Sequence, residues 1–198
     1  MKAIRMAAVG AALMGTAISG AFAGPTASEQ GPNLVTNGGF ESNLSGWTTS
    51  GFALLGFDYG IDSSFAHSGA NSFQGGAIDS LGFLSQTLTT TPGTSYNIDF
   101  WLASDGFFEN ELQVLWNGAV VFDRQNLFPQ SFTQVVIDPL ATSASSTLAI
   151  GFRNDSGFLH VDDVSVRAVS AVPEPSSLAL LGLGIVAVAR RAAKRKER

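Results

Sequence analysis

Between Gly24 and Ala171 apolar residues recur at every second position, and no stretch has helical spacing. Tyr96, Ile98, Phe100 and Leu102 alternate with Ser95, Asn97, Asp99 and Trp101 after the turn Pro92-Gly93, which describes a half-buried strand. Leu112, Val114 and Trp116 repeat the pattern, Asn117-Gly118 follows, and Val120, Val121 and Phe122 resume it. An Asn-Gly pair between apolar runs signals a tight hairpin. Further strands are predicted at Trp47 to Leu55, Ser72 to Ala77, Phe83 to Leu88, Phe132 to Ile137, Leu148 to Phe152 and Leu159 to Arg167. Roughly nine short strands with glycine-rich turns predict an all-β, jelly-roll-like antiparallel β-sandwich. Along the last strand the apolar positions run Leu159, Val161, then Val164, Val166, so the parity slips at Asp162-Asp163 and predicts a bulge.

The two ends follow different rules. Lys2 and Arg5, the apolar run Ala7 to Ile18 and the small-x-small triplet Ala21-Phe22-Ala23 read as a signal peptide over residues 1–23, cut between Ala23 and Gly24 by the secretion machinery's signal peptidase. At the other end Pro173, Glu174 and Pro175 precede a short apolar helix, 177–189, and a basic tail, 190–198. The uninterrupted apolar run, Leu178 to Ala189, is 12 residues, against the roughly 20 that span a bilayer comfortably. The basic residues hold that end cytoplasmic and place the rest of the chain outside. The expected order is therefore a linker over 24–32, a sandwich domain over 33–167, a linker over 168–171 and a C-terminal segment over 172–198 containing a short transmembrane helix.

Residues 172–198 resemble the PEP-CTERM sorting signal, in which Pro-Glu-Pro, a short hydrophobic segment and a basic cluster close an exported bacterial protein. The resemblance implies an exosortase-type membrane protease as partner, with Pro173, Glu174 and Pro175 as its substrate residues. It also implies an inner-membrane intermediate followed by delivery to the cell surface or extracellular matrix. An ordinary single-pass anchor would have the same orientation.

Setting the ends aside changes the charge. The whole chain has 11 basic and 16 acidic residues, but residues 24–172 keep only Arg124, Arg153 and Arg167 against 14 acids, which is 3 minus 14, or -11. Such a body is repelled by nucleic acid and by anionic membrane surfaces, and its natural counter-ions are cations. The chain has no cysteine, so disulfides, thiolate zinc sites and thiol catalysis are excluded.

Four motifs in order, Asn33-Leu-Val-Thr-Asn-Gly-Gly-Phe-Glu41 with Gly46-Trp47, His67-Ser-Gly-Ala-Asn-Ser72, Pro92-Gly-Thr-Ser-Tyr96 and His160-Val-Asp-Asp-Val-Ser-Val166, resemble the galactose-binding-like sandwich shared by several carbohydrate-binding modules. The resemblance implies a structural calcium ion held by Glu41 and Asp162. Oxygens around Ser68 and Asn71, with backbone carbonyls near Gly39, would complete its shell. The alternative has both acids solvated at strand ends.

For sugar binding, the residues themselves offer Trp101, whose parity places it outward beside Asn97 and Asp99, with Gln113 and Glu111 expected from the following strand and Arg124 less securely placed. The alternative is an indole covered by the loop Gly106-Phe107-Phe108 or by another sheet. Trp47 and Trp116 read as core. No catalytic residue is expected: Asp105, Glu109 and Glu111 form an acidic loop of the kind usually solvated, and His67 and His160 lack a nucleophile signature. The reading is thus an exported, non-catalytic protein associated with carbohydrate or exopolysaccharide. The alternatives are a self-associating matrix protein with no small ligand and, behind it, a glycoside-acting enzyme.

Overall fold

The computed structural model describes residues 30–52 and 58–169. The signal peptide with its Ala23/Gly24 junction, and the sorting segment with Pro173, Glu174, Pro175 and the 177–189 helix, lie outside the described residues.

Ten strands form two five-stranded antiparallel sheets. In chain order they are β1 (Thr48–Ser50), β2 (Tyr59–Asp62), β3 (Ser72–Gly75), β4 (Gly82–Thr89), β5 (Tyr96–Ser104), β6 (Asn110–Trp116), β7 (Ala119–Gln125), β8 (Gln130–Ile137), β9 (Ser145–Asn154) and β10 (Leu159–Ala168). One sheet has the order β1-β4-β9-β6-β7, the other β2-β3-β10-β5-β8. The predicted sandwich is the observed one, because period-two alternation is a local property: Ile98, Phe100, Leu112, Val114, Leu148, Ile150, Val161 and Val166 are all fully buried between the sheets.

The differences are local. β2 escapes the sequence reading because Tyr59-Gly60-Ile61-Asp62 offers only two apolar positions. The strand expected over Trp47 to Leu55 is described only as the three residues of β1, since 53–57 fall outside the described residues. At the two ends of the described body, Gly31 N donates to Ala168 O at 3.0 Å and Gln30 bridges Val169, so these two segments pair with each other.

Asn117-Gly118 makes the predicted hairpin between β6 and β7, with φ of 53° and 79°, the paired left-handed conformations of a type I′ turn. The predicted slip in β10 is present as well. β10 pairs with β3 over Leu159–Val161; beyond Val161 its neighbour is the N-terminal segment, through Val164 N to Gly38 O at 3.0 Å and Leu34 N to Val166 O at 2.8 Å. At this change of partner the register against β5 shifts between Asp162 and Ser165, and Asp163 adopts φ 52°. A Cβ on Gly38 would collide with the Val164 carbonyl, so glycine is required where the N-terminal segment crosses the bulge.

Candidate functional site

The bulge fixes the first cluster. Asp162 is fully buried; its Oδ2 accepts the amide protons of His67 (2.8 Å) and Ser68 (3.1 Å), and its Oδ1 accepts that of Asp163 (2.7 Å). Asp163 accepts the Ser68 hydroxyl at 2.6 Å and lies 2.7 Å from His67 Nδ1. From the other side, Phe40 (φ 58°) is buried against Trp47 at 5.7 Å between ring centroids, which swings the next residue toward the same loop. Glu41 Oε1 then accepts the amides of Ala70 (2.8 Å) and Asn71 (3.1 Å). Gly69, at φ 62°, leaves room for that carboxylate where any Cβ would strike it.

The four residues expected to hold calcium, Glu41, Ser68, Asn71 and Asp162, are therefore brought to one loop, 63–71, from distant parts of the sequence. Burial pushes the Asp162 carboxyl above its usual range, and neighbouring Asp163 adds to that push, against the amide bonds that favour its charge. The donor set has the composition a hard cation takes, all oxygen with two carboxylates. Its present geometry is different: each of these carboxylates accepts amide protons, and the described residues hold no group of three or more His, Asp or Glu side chains placed as metal ligands.

The second cluster lies beside the first on the outer face of the β10-β5-β8 layer. Trp101 is half-buried and points outward, as its parity predicts. The His67 imidazole stacks on the indole at 3.8 Å and 13°, with Phe132 edge-on to His67 at 5.7 Å. The cover over Trp101 is thus the 63–71 loop rather than Gly106-Phe107-Phe108 or a sheet. Trp101 also lines a polar groove of about 370 Å³ together with Asp99, Gln134, Asp163 and Arg167. Asp99 accepts a 2.6 Å hydrogen bond from Gln134 Nε2, and burial still pushes its carboxyl above the usual range. Asn97 shares the face but donates to Asp138 at 2.9 Å and is not among the groove's lining residues.

Gln113 and Glu111 require a correction. β5 and β6 belong to different sheets, so the loop 105–109 carries the chain across the sandwich and both side chains emerge on the opposite outer face. There Gln113 sits between Asp123 of β7 and Gly151 of β9 and donates to Glu111 at 3.4 Å. Their places beside Trp101 are taken by Gln134, which pairs directly with Trp101 across β8, and by Arg167 of β10. Gln134 shares its parity with Phe132 and Val136, so alternation in this strand does not single it out. Its adjacency to Trp101 is set by pairing that sequence spacing does not encode.

The acidic loop has an internal role. Asp105 accepts the amides of Phe107 (3.0 Å) and Phe158 (2.5 Å) and the Asn154 amide group (2.9 Å), while Glu109 binds Arg153 at 2.9 Å. Arg124 lies on edge strand β7 of the other sheet and is not among the lining residues of the Trp101 groove.

The PEP-CTERM protein-sorting motif matches residues 171–196. No curated protein matches the chain in sequence. Among solved structures, the body is similar to the carbohydrate-binding module TmCBM61 in complex with β-1,4-galactotriose, at 20% identity and a TM-score of 0.51 over 68% of this chain and 97% of that one. It is similar to the CBM22-1 xylan-binding domain of Paenibacillus barcinonensis Xyn10C, at 18% identity and a TM-score of 0.56 over 74% of this chain and 100% of that one. It is also similar to the K3 cleaved adhesin domain of Lys-gingipain from Porphyromonas gingivalis w83, at 14% identity and a TM-score of 0.52 over 67% and 98%. The chain therefore joins a β-sandwich with the fold of carbohydrate-binding modules to a C-terminal PEP-CTERM sorting motif.

Proposed function

We propose that this chain is an exported, surface-sorted, non-catalytic protein whose sandwich binds carbohydrate, exopolysaccharide included, in the Trp101 groove. The observation that carries the reading is the placement of Trp101 beside Asp99, Gln134 and Arg167. One indole wall with planar amide, carboxylate and guanidinium groups beside it offers both an apolar ring face and hydrogen-bonding partners to a sugar. His67 stacks on one face of the indole, which restricts its motion and pre-positions the wall. The fold shared with carbohydrate-binding modules supports the class of ligand without identifying it. Retention of the purified chain on polysaccharide gels, the cell's own exopolysaccharide among them, is the test. Trp101→Ala should weaken retention by about tenfold, the scale of a lost aromatic contact in a desolvated site; equal retention of both proteins rejects the groove.

In the same proposal the sorting motif delivers the body. An exosortase-type protease processes the segment around Pro173, Glu174 and Pro175 after an inner-membrane intermediate with its basic tail in the cytoplasm. Calcium at Glu41 and Asp162, with Ser68 and Asn71 nearby, has a supporting role: it would neutralise a buried carboxylate and fix the loop that carries His67.

The second reading, a self-associating matrix protein, is favoured by the exposed Phe107, Phe108 and Phe128 at the end of the sandwich away from the C-terminus of β10. Concentration-dependent sedimentation abolished by Phe128→Ser, with no polysaccharide retention, would favour it over the sugar binder.

A further inference from the structure

We infer that the open lateral seam between β7 and β8 is a separate binding site for a carboxylate-bearing sugar residue, a uronate. β7 ends one sheet and β8 ends the other, so no strand closes this side of the sandwich. The seam contains a cavity of about 440 Å³, within the range of roughly 300–1,000 Å³ usual for small-ligand sites. Its floor is apolar, from Leu102, Phe122 and Val135; Arg124, Gln130 and Thr133 add polar groups, and Gln134 on the rim is shared with the Trp101 groove.

Arg124 is the informative residue. It pairs across from the buried Leu112, in the register that half-buries Phe122, yet its own side chain is exposed, at the edge of the cavity. Its guanidinium carbon lies 5.6 Å from the Phe122 ring centroid, which supports the group through a cation–π contact. The body's other two arginines are engaged, Arg153 by Glu109 and Asp155 and Arg167 by the Gly31 carbonyl. Among the described residues Arg124 has no carboxylate partner. A guanidinium fork with amide and hydroxyl groups above an apolar floor matches a pyranose ring that carries a carboxylate. Because residues 24–172 sum to -11, the attraction acts only at contact, and affinity for the acidic ligand should rise as moderate salt screens the surrounding acids.

A charge on an edge strand also guards against strand-to-strand aggregation, and the experiment separates the two roles. Isothermal titration of the full chain in detergent with trigalacturonate and with neutral β-1,4-galactotriose is compared for wild type, Arg124→Gln, Arg124→Lys and Trp101→Ala. The site predicts preferential binding of trigalacturonate, weakened about tenfold or more by Arg124→Gln, less by Arg124→Lys, and left within about twofold by Trp101→Ala, since that indole belongs to the other face. Several outcomes overturn it: no trigalacturonate binding at millimolar concentration, equal response to both sugars, or unchanged binding in Arg124→Gln. If Arg124→Gln alters only the sedimentation coefficient, the arginine is an edge guard. Loss of both sugars in Trp101→Ala alone would assign all binding to the Trp101 groove, leaving the proposed function standing and this site rejected.

Discussion

At the loop 105–109 end of the sandwich, Glu109 and Asp155 share the guanidinium of Arg153, at 2.9 and 2.5 Å. At the 63–71 loop, Glu41, Asp162 and Asp163 are met by backbone amides, one serine hydroxyl and one imidazole, and among the described residues no arginine or lysine pairs with them. Both regions are acid-rich, yet they differ in what answers the charge. Asp155 is held below its usual pKa range, with the Arg153 hydrogen bond as the main cause, whereas burial holds Asp162 above it. Acid count therefore does not mark a site on this body. A buried carboxylate answered only by backbone dipoles is where an external cation has something to contribute.

The largest expected effect tests whether the amide cage is structural. Asp162→Ala orphans three backbone N–H groups, each costing about 1–3 kcal/mol, so urea denaturation should show a loss of about 3 kcal/mol or more. A loss no greater than that of an exposed acid would erase the distinction between the regions. Calcium comes next. If it binds the 63–71 cluster, calcium at a hundred times its dissociation constant raises stability by about 2.7 kcal/mol. Glu41→Gln should remove the shift and Arg153→Gln should leave it intact. An unchanged melting temperature in millimolar calcium and in chelator alike would reject the metal. Arg153→Gln itself should destabilise less than Asp162→Ala, because its pairs are partly solvated, and high salt should narrow the difference from wild type.

The smallest effects are in pH. Burial lowers the pKa of His160 from its ordinary 6.5, outweighing the pull of Asp62 at 3.1 Å, so the unfolded chain binds that proton more readily. Its contribution is complete above 6.5 and is lost as pH falls from there toward the folded value. The pH dependence of thermal melts between pH 7 and 5 should therefore flatten in His160→Gln. The carboxylates sharpen the contrast at lower pH. Asp155, with its lowered pKa, contributes stability above 3.8 that is lost below it. Asp162, with its raised pKa, contributes more as pH falls from its folded value toward 3.8. Opposite signs in the melts of Arg153→Gln and Asp162→Asn across that range would confirm the two regimes.

Much of this body was legible one residue at a time. The inward positions of β5, β6, β9 and β10, the type I′ hairpin at Asn117-Gly118 and the bulge at Asp162-Asp163 all follow from local alternation, and the structure has each of them. The outward parity of Trp101 was equally readable. Its cover by His67 was not, because that contact spans 34 positions (101 minus 67) through a loop whose path is set by Glu41 and Asp162.

The sequence by itself determined which residues face in and out, the all-β class and the sorting tail, because each rests on short-range periodicity or on a contiguous motif. Only the tertiary structure decided which outward residues are neighbours. Gln113 follows Trp101 by 12 positions (113 minus 101) and lies on the opposite face, while Gln134, 33 positions on, sits beside it. The reason is physical: strand alternation is fixed by the backbone's own two-residue repeat, whereas the sheet a strand joins is chosen by long-range pairing and burial shared among all ten strands.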